Sequence, residues 1–165
     1  MNFTLLDRIT SITENKSIKT AKCLSRGEEY LADHFPGNPV MPGVLQLEAM
    51  IQSAAWLLRV TQNFSHSMVV LRETRNVTYG KFVAPGDQLL IDVDLLGVED
   101  STARFRGKGR VDGNVVVKAQ FDLKFFNLAD IDGSLADRDK TILQAARKKF
   151  QELGGVKAIG APAES

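Results

Sequence analysis

Gly43-Val44-Leu45-Gln46-Leu47-Glu48-Ala49-Met50-Ile51-Gln52-Ser53-Ala54-Ala55-Trp56-Leu57-Leu58-Arg59-Val60 contains no helix breaker after Gly43. Its apolar residues fall on every side of a helix rather than on one stripe, which marks a helix buried all round. At about 100° per residue, Glu48, Gln52 and Arg59 share one narrow stripe, while Gln46 and Ser53 share another. Such a helix needs a sheet to wrap it. The downstream sequence supplies one, because residues 68–73, 76–83, 88–99, 102–111 and 115–126 read as strands. Ala103, Phe105, Gly107, Gly109 and Val111 alternate with Arg104, Arg106, Lys108 and Arg110. Val117, Ala119, Phe121, Leu123 and Phe125 alternate with Lys118, Gln120, Asp122 and Lys124. Strands of this kind cover a core with one face only, as in an antiparallel sheet. Asp112-Gly113 reads as a tight turn between two of them, and Pro85-Gly86-Asp87 as another turn. The pattern implies an α+β fold with a long helix wrapped by a curved antiparallel sheet. Periodicity alone leaves other α+β folds open.

Upstream, Ile18, Thr20, Lys22 and Leu24 alternate with Lys19, Ala21, Cys23 and Ser25 as a strand would. Residues 33–43 hold Pro36, Gly37, Pro39, Pro42 and Gly43, so this segment is neither helix nor central strand. Residues 1–128 read as the main domain and 129–165 as a C-terminal extension. The extension carries a helix over about residues 137–153, with Leu143, Ala146, Phe150 and Leu153 on one face. Asp137 is its candidate cap and Gly154-Gly155 its stop. Residues 156–165 are small and polar and read as a frayed tail.

The 165 residues suggest one domain, able to bury roughly 70% of the surface that the unfolded chain exposes. Hydrophobic residues make up 44% and charged residues 25%, which excludes a disordered or collagen-like chain. Twenty-one Lys and Arg against 20 Asp and Glu argue against a nucleic-acid binder. One cysteine, Cys23, excludes an internal disulfide and fits a reducing, cytoplasmic setting. With two histidines beside it, no metal cluster is expected. The N-terminus shows no signal-peptide pattern, and no stretch approaches the ~20 apolar residues that would span a bilayer.

His34 and Glu48 are the residues to weigh for chemistry. Glu48 stands inside an apolar helix, and a carboxyl group in such surroundings is held more readily as the neutral acid. A neutral acid can donate a proton and a nearby imidazole can accept one, so together they would form an acid/base couple. Pro42-Gly43 opens the helix between them. The free N–H groups at that end suit a carbonyl gaining negative charge. The blander readings are a hydrogen-bonded loop histidine and a Glu48 paired with Arg59 or with a partner subunit. Gln52, one turn after Glu48, is placed to orient its side chain.

The run from Asp33 to Gln52 contains His34-Phe35-Pro36-Gly37, then Pro42-Gly43-Val44, then Glu48-Ala49-Met50 and Gln52. It resembles the signature of the 3-hydroxyacyl-(acyl carrier protein) dehydratases of the hotdog fold, the FabZ-like family. Tyr79-Gly80-Lys81-Phe82-Val83-Ala84-Pro85-Gly86-Asp87 is similar to the family's later strand and turn, and residues 3–9 to its first strand. The resemblance covers roughly residues 3–126. It implies reversible dehydration of 3-hydroxyacyl thioesters on acyl carrier protein to trans-2-enoyl thioesters, in fatty-acid or related lipid synthesis and without a cofactor. It assigns His34 and Glu48 as catalytic residues and the Gly43 N–H as donor to the thioester carbonyl. It also implies a homodimer whose sites combine His and Glu from different subunits, with dimers assembling in many members as a trimer of dimers. Glu rather than Asp at position 48 is similar to the dehydratase-only branch.

Three features depart from the family pattern. The family's N-terminal helix is not seen before Phe3, Asp33 stands where a glycine usually precedes the histidine, and the helix at 137–153 is an addition. A carboxylate beside His34 would oppose a base role unless Asp33 points to solvent. The acidic carrier predicts a cationic rim, for which Arg72, Arg75 and Lys81 are the candidates. The stripe Arg104, Arg106, Lys108 and Arg110 is better explained by cross-strand pairs with Asp92, Asp94 and Asp122. The alternatives are a hotdog acyl thioesterase with Glu48 activating water, and a non-catalytic acyl-thioester-binding hotdog subunit. The His-Phe-Pro-Gly loop argues against the first and the retention of both His34 and Glu48 against the second. A DNA-binding acyl sensor would need a helix-turn-helix, and none fits before residue 33.

Overall fold

The buried helix forms over Gly43–Thr61, and a six-stranded antiparallel sheet wraps it. The computed structural model describes residues 3–35 and 37–162, so Met1, Asn2, Pro36 and residues 163–165 of the expected tail lie outside the described residues. In chain order the elements are β1 (Arg8–Thr13), β2 (Ser17–Cys23), α1 (Tyr30–Asp33), α2 (Gly43–Thr61), β3 (Met68–Tyr79), β4 (Gln88–Glu99), β5 (Thr102–Val111), β6 (Asn114–Phe126), α3 (Ala136–Glu152) and α4 (Gly155–Ala158). The strand order is β1-β2-β4-β5-β6-β3. Helix α2 packs against five of the strands, β2 through β6.

Met50, Leu57 and Leu58 of α2 are fully buried with Phe105, Phe121, Leu89 and Ile91 of the sheet. Each such side chain stabilises the fold by about 1.5–3 kcal/mol relative to exposure. The inner face of β5 carries glycine where the helix comes close. A Cβ at Gly107 would run into the Met50 side chain. The buried Ser53 hydroxyl donates to Ala49 O and lies 2.8 Å from Thr20 Oγ1, which satisfies this member of the polar stripe. On the outer face of β5, Arg104 pairs with Asp122, Arg106 with Asp94 and Arg110 with Asp92. The Asp112-Gly113 turn has φ of 48° and 77°, the left-handed pair that a two-residue hairpin requires.

Several expectations need correction. The first strand begins at Arg8, not at residue 3, because Leu5 and Leu6 are buried in the core before the chain joins the sheet. Residues 68–73 and 76–83 are not two strands. A single strand, β3, runs to Tyr79 through two register irregularities, with Asn76 at φ 52°. Residues 81–83 leave the sheet, and Val83 O accepts the Met41 N–H. Asp137 does not cap α3, which starts after Leu135, and instead pairs with Lys140. Over residues 156–162 the tail is not frayed. Ile159 bridges Ile12, Gly160 N–H donates to Ile12 O, and the Ser11 hydroxyl donates to Ala161 O.

The extension covers the C-terminal end of α2 and the β1 edge. Phe150 packs on Trp56 and Phe64, and the Arg147 guanidinium lies 4.6 Å from the Phe64 ring centre. Leu153 O accepts the Ile9 N–H. Gly154, at φ 77°, ends α3 as expected. The anchor is Asp139, which is buried. Its carboxylate accepts the Ser67 hydroxyl and the Leu128 and Ala129 N–H groups. Burial would push this carboxyl up, but the hydrogen bonds from Ser67, Ala129 and Leu128 outweigh it and hold it below the usual aspartate value.

A carboxyl depressed by folding contributes stability above its unfolded value and loses it as pH falls through the folded one. Asp139→Asn is therefore expected to melt below wild type at neutral pH. The deficit should shrink on acidification below about pH 4, where the unfolded carboxyl itself takes a proton. Thermal unfolding of both proteins from neutral pH down to pH 3 checks this. A deficit that stays constant would remove the ionised carboxylate from the account.

Candidate active site

His34 follows α1 directly. Its N–H donates to Tyr30 O and its backbone is extended, so the imidazole leaves the helix end sharply. Phe35 adopts φ 50°, a left-handed conformation that costs a non-glycine residue about 1–3 kcal/mol. Its ring meets the His34 imidazole edge-on at 4.6 Å. The Phe35 carbonyl accepts the Asn38 N–H, and Met41 N–H donates to Val83 O. These contacts bring the loop to Pro42, which caps α2 without a side-chain hydrogen bond. Among the described residues, neither the Gly43 nor the Val44 N–H has a partner. The positive end of a 19-residue helix therefore opens at this point.

A cavity of about 310 Å³ lies over that helix end, lined by His34, Met41, Gly43, Gln46, Tyr79, Lys81 and Phe82 among others. Phe82, 73% exposed, and Val44, 65% exposed, stand at its rim beside Lys81. The Tyr79 ring covers Gly43 so closely that a Cβ there would sit 2.9 Å from it. Asp33, beside His34, is exposed.

Glu48 is half-buried and does not line this cavity. Gln52 Nε2 donates to Glu48 Oε1 at 3.0 Å. Gln52 is itself fixed by the incoming chain, since it donates to Phe3 O and accepts the Leu5 N–H. Arg59 does not pair with Glu48. Eleven residues of helix separate the two by about 16 Å, and the guanidinium donates to His66 O and Ser67 O. Burial pushes the Arg59 guanidinium below its ordinary value. Within one chain, then, Gln52 joins Glu48 while His34 and Gly43 stand together at a separate cavity.

The three candidate docking cations divide. Lys81 lines the His34 cavity. Arg72 and Arg75 line a groove of about 690 Å³ with Arg104 and Asp122. There Arg75 pairs with Asp122 at 2.6 Å and with Glu73 at 2.9 Å, and Arg72 donates to Thr102 Oγ1. Among the described residues no His, Cys, Asp and Glu cluster could hold a metal ion, and no helix is long and apolar enough to cross a membrane. The Tyr79 cover and the left-handed Phe35 escaped sequence reasoning. Their signal was only the match of short motifs, which carries no contact.

A family model, the FabA-like domain, matches residues 1–120, and the chain belongs to that family. Among curated relatives, the 3-hydroxyacyl-acyl-carrier-protein dehydratase FabZ of Ehrlichia chaffeensis is 36% identical over 118 residues, covering 72% of this chain and 81% of that one. The FabZ of Aromatoleum aromaticum is 38% identical over 121 residues, covering 72% and 83%. Among solved structures, the dehydratase heterocomplex ApeI:P from Xenorhabdus doucetiae superposes with a TM-score of 0.65 at 19% identity, covering 81% of this chain and 90% of that one. The fold is the expected α+β hotdog arrangement.

Crowding at Gly43 yields a test. Gly43→Ala is expected to destabilise the protein by about 1–3 kcal/mol through overpacking against Tyr79. In a Tyr79→Ala background the same substitution should cost far less. Equal losses in both backgrounds, measured by denaturant unfolding, would place the strain elsewhere.

Proposed function

We propose that this chain catalyses reversible dehydration of 3-hydroxyacyl thioesters carried on acyl carrier protein, giving trans-2-enoyl thioesters in fatty-acid synthesis. The carrying observation is that the FabA-like match spans an imidazole at the cavity of helix N-terminal amides without a partner among the described residues, and an amide-oriented carboxyl on the same helix. His34 removes the proton from C2. The Gly43 N–H stabilises the charge that develops on the thioester oxygen, a contact whose loss can cost roughly 3–4 kcal/mol. Glu48, oriented by Gln52, protonates the C3 hydroxyl, which leaves as water while the C2–C3 double bond forms. The proton gained by His34 balances the one given by Glu48.

His34 and Glu48 are to be brought together by a second copy of the chain. Strand β3 stands at the end of the sheet order with one edge unpaired, and Val70, Leu71 and Tyr79 on it are exposed. An open edge of that length is a template for another strand. A dimer paired there supports sites with His34 from one subunit and Glu48 from the other, and a trimer of such dimers is the larger assembly we propose. The carrier docks beside the cavity, with Lys81 the first contact and Arg72 and Arg75 further along β3. The setting is the cytoplasm.

Shared sites predict complementation. His34→Ala and Glu48→Gln should each lose nearly all turnover as homodimers. Mixed dimers contain one intact site of two, so equal co-expression should restore roughly a quarter of wild-type activity. Absence of any recovery from verified mixed dimers would place both groups in one chain's site. Full turnover by folded Glu48→Gln would remove Glu48 from the chemistry.

Lys81→Glu is expected to raise KM for carrier-linked substrate and to leave small thioesters unaffected, because a rim charge steers the partner rather than the reaction. Reversal of both Arg72 and Arg75 should act in the same direction. Equal effects on both substrate forms would refute docking at these positions.

A further inference from the structure

We propose that Gln46 is a positioning residue, which fixes the peptide entering α2 and so aims the Gly43 N–H at the substrate carbonyl. The inference rests on the dehydratase reading above. Gln46 is 3% exposed and lines the His34 cavity. Its Nε2 donates to Met41 O at 3.3 Å, while the Met41 N–H donates to Val83 O at 2.8 Å. Met41 is therefore held on both its carbonyl and its amide side. Pro42 follows with its φ fixed at −53° by the ring. Little freedom remains for the next peptide, and its N–H belongs to Gly43.

The other end of the Gln46 side chain supports this reading. Gln46 Oε1 is buried and has no hydrogen-bond partner among the described residues. An orphaned buried acceptor destabilises the fold. An apolar side chain of the same length would fill the space without that orphan, so packing does not explain a glutamine here. The donor end does, because it grips the carbonyl one residue before the helix cap. Part of the helix-end geometry is thus held at the expense of stability, as groups that serve a site commonly are.

The test compares Gln46→Met and Gln46→Glu with wild type. Gln46→Met removes the orphaned Oε1 but orphans Met41 O, so its melting temperature should stay near wild type. Its kcat is expected to fall roughly tenfold with KM changed less than about twofold, the split expected of a contact that strengthens in the transition state. Gln46→Glu puts an acceptor against Met41 O and should lose more. A second readout does not depend on turnover. Bound octanoyl-pantetheine, labelled with carbon-13 at the thioester carbonyl, lacks a 3-hydroxyl and cannot be dehydrated. Its carbonyl stretch should shift to lower frequency on wild type and shift less on both variants. Wild-type kcat and wild-type carbonyl shift in Gln46→Met would overturn the assignment. So would losses of kcat and melting temperature together with an unchanged carbonyl shift. If wild type shifts the carbonyl but interconverts no 3-hydroxyacyl and enoyl thioesters, the dehydratase reading fails while the spectra still decide Gln46.

Discussion

Met50 lies over Gly107 of β5, and a Cβ there would run into its side chain. This contact fixes the height of the helix above β5, and the rest of the molecule adjusts to it. Ala49 and Ala54 let the helix approach, while Leu57 and Leu58 fill the space further along. Methionine suits this point because its unbranched thioether adapts to an irregular gap. Once a rigid helix is seated at its middle, its two ends have no independent position. One end brings Gly43 under the Tyr79 ring, and the other brings Trp56 to Phe150. The candidate site is a consequence of the core in this sense, since moving Met50 would move the Gly43 amide.

The polar residues of α2 show how a buried helix tolerates them. Ser53 is answered by Ala49 O and Thr20, and Arg59 by two carbonyls after the helix. Gln52 is answered by the chain entering from Phe3 and Leu5. Glu48 differs. Only its Oε1 has a partner, the Gln52 amide, and its second oxygen has none among the described residues. An amide partner orients a carboxyl through a directional hydrogen bond. Arg59 sits on the same stripe but is about 16 Å along the helix axis. The pattern leaves Glu48 oriented by Gln52.

The fold was largely legible because α2 and the β4-β5-β6 meander follow strict periodicities. Apolar residues round a whole helix and alternation along a strand each have one simple packing solution. The errors fell where tertiary contact overrode local pattern. Residues 3–6 look like a strand, yet Leu5 and Leu6 gain more by burial over the core than by early pairing. The tail after Gly155 looks too small and polar to dock, but its backbone finds partners on β1. At the site, His34, Gly43, Glu48 and Gln52 could be named from sequence, and the Gln52 to Glu48 hydrogen bond is present. The left-handed Phe35 and the orphaned Gln46 Oε1 could not, because each depends on distances between segments far apart in the chain.

The arrangement also separates the dehydratase from its competitors. Hydrolysis of a thioester needs a base for water near the carbonyl, and one carboxylate suffices for that. Either that carboxylate or an imidazole at the cavity would serve, so hydrolysis uses one of the two groups. Dehydration uses both, because a proton leaves the carbon next to the carbonyl while the hydroxyl leaves as water. A binding subunit would keep the cavity and the amide but would gain nothing from Gln52 orienting a carboxyl. Elimination of water engages a base at C2 and an acid at C3, two adjacent carbons of one short segment. A single chain holds these two groups apart, with the carboxyl outside the cavity and β3 ending in an unpaired edge. In the dimer proposed above, a two-fold pairing would repeat both halves and let each complete the other.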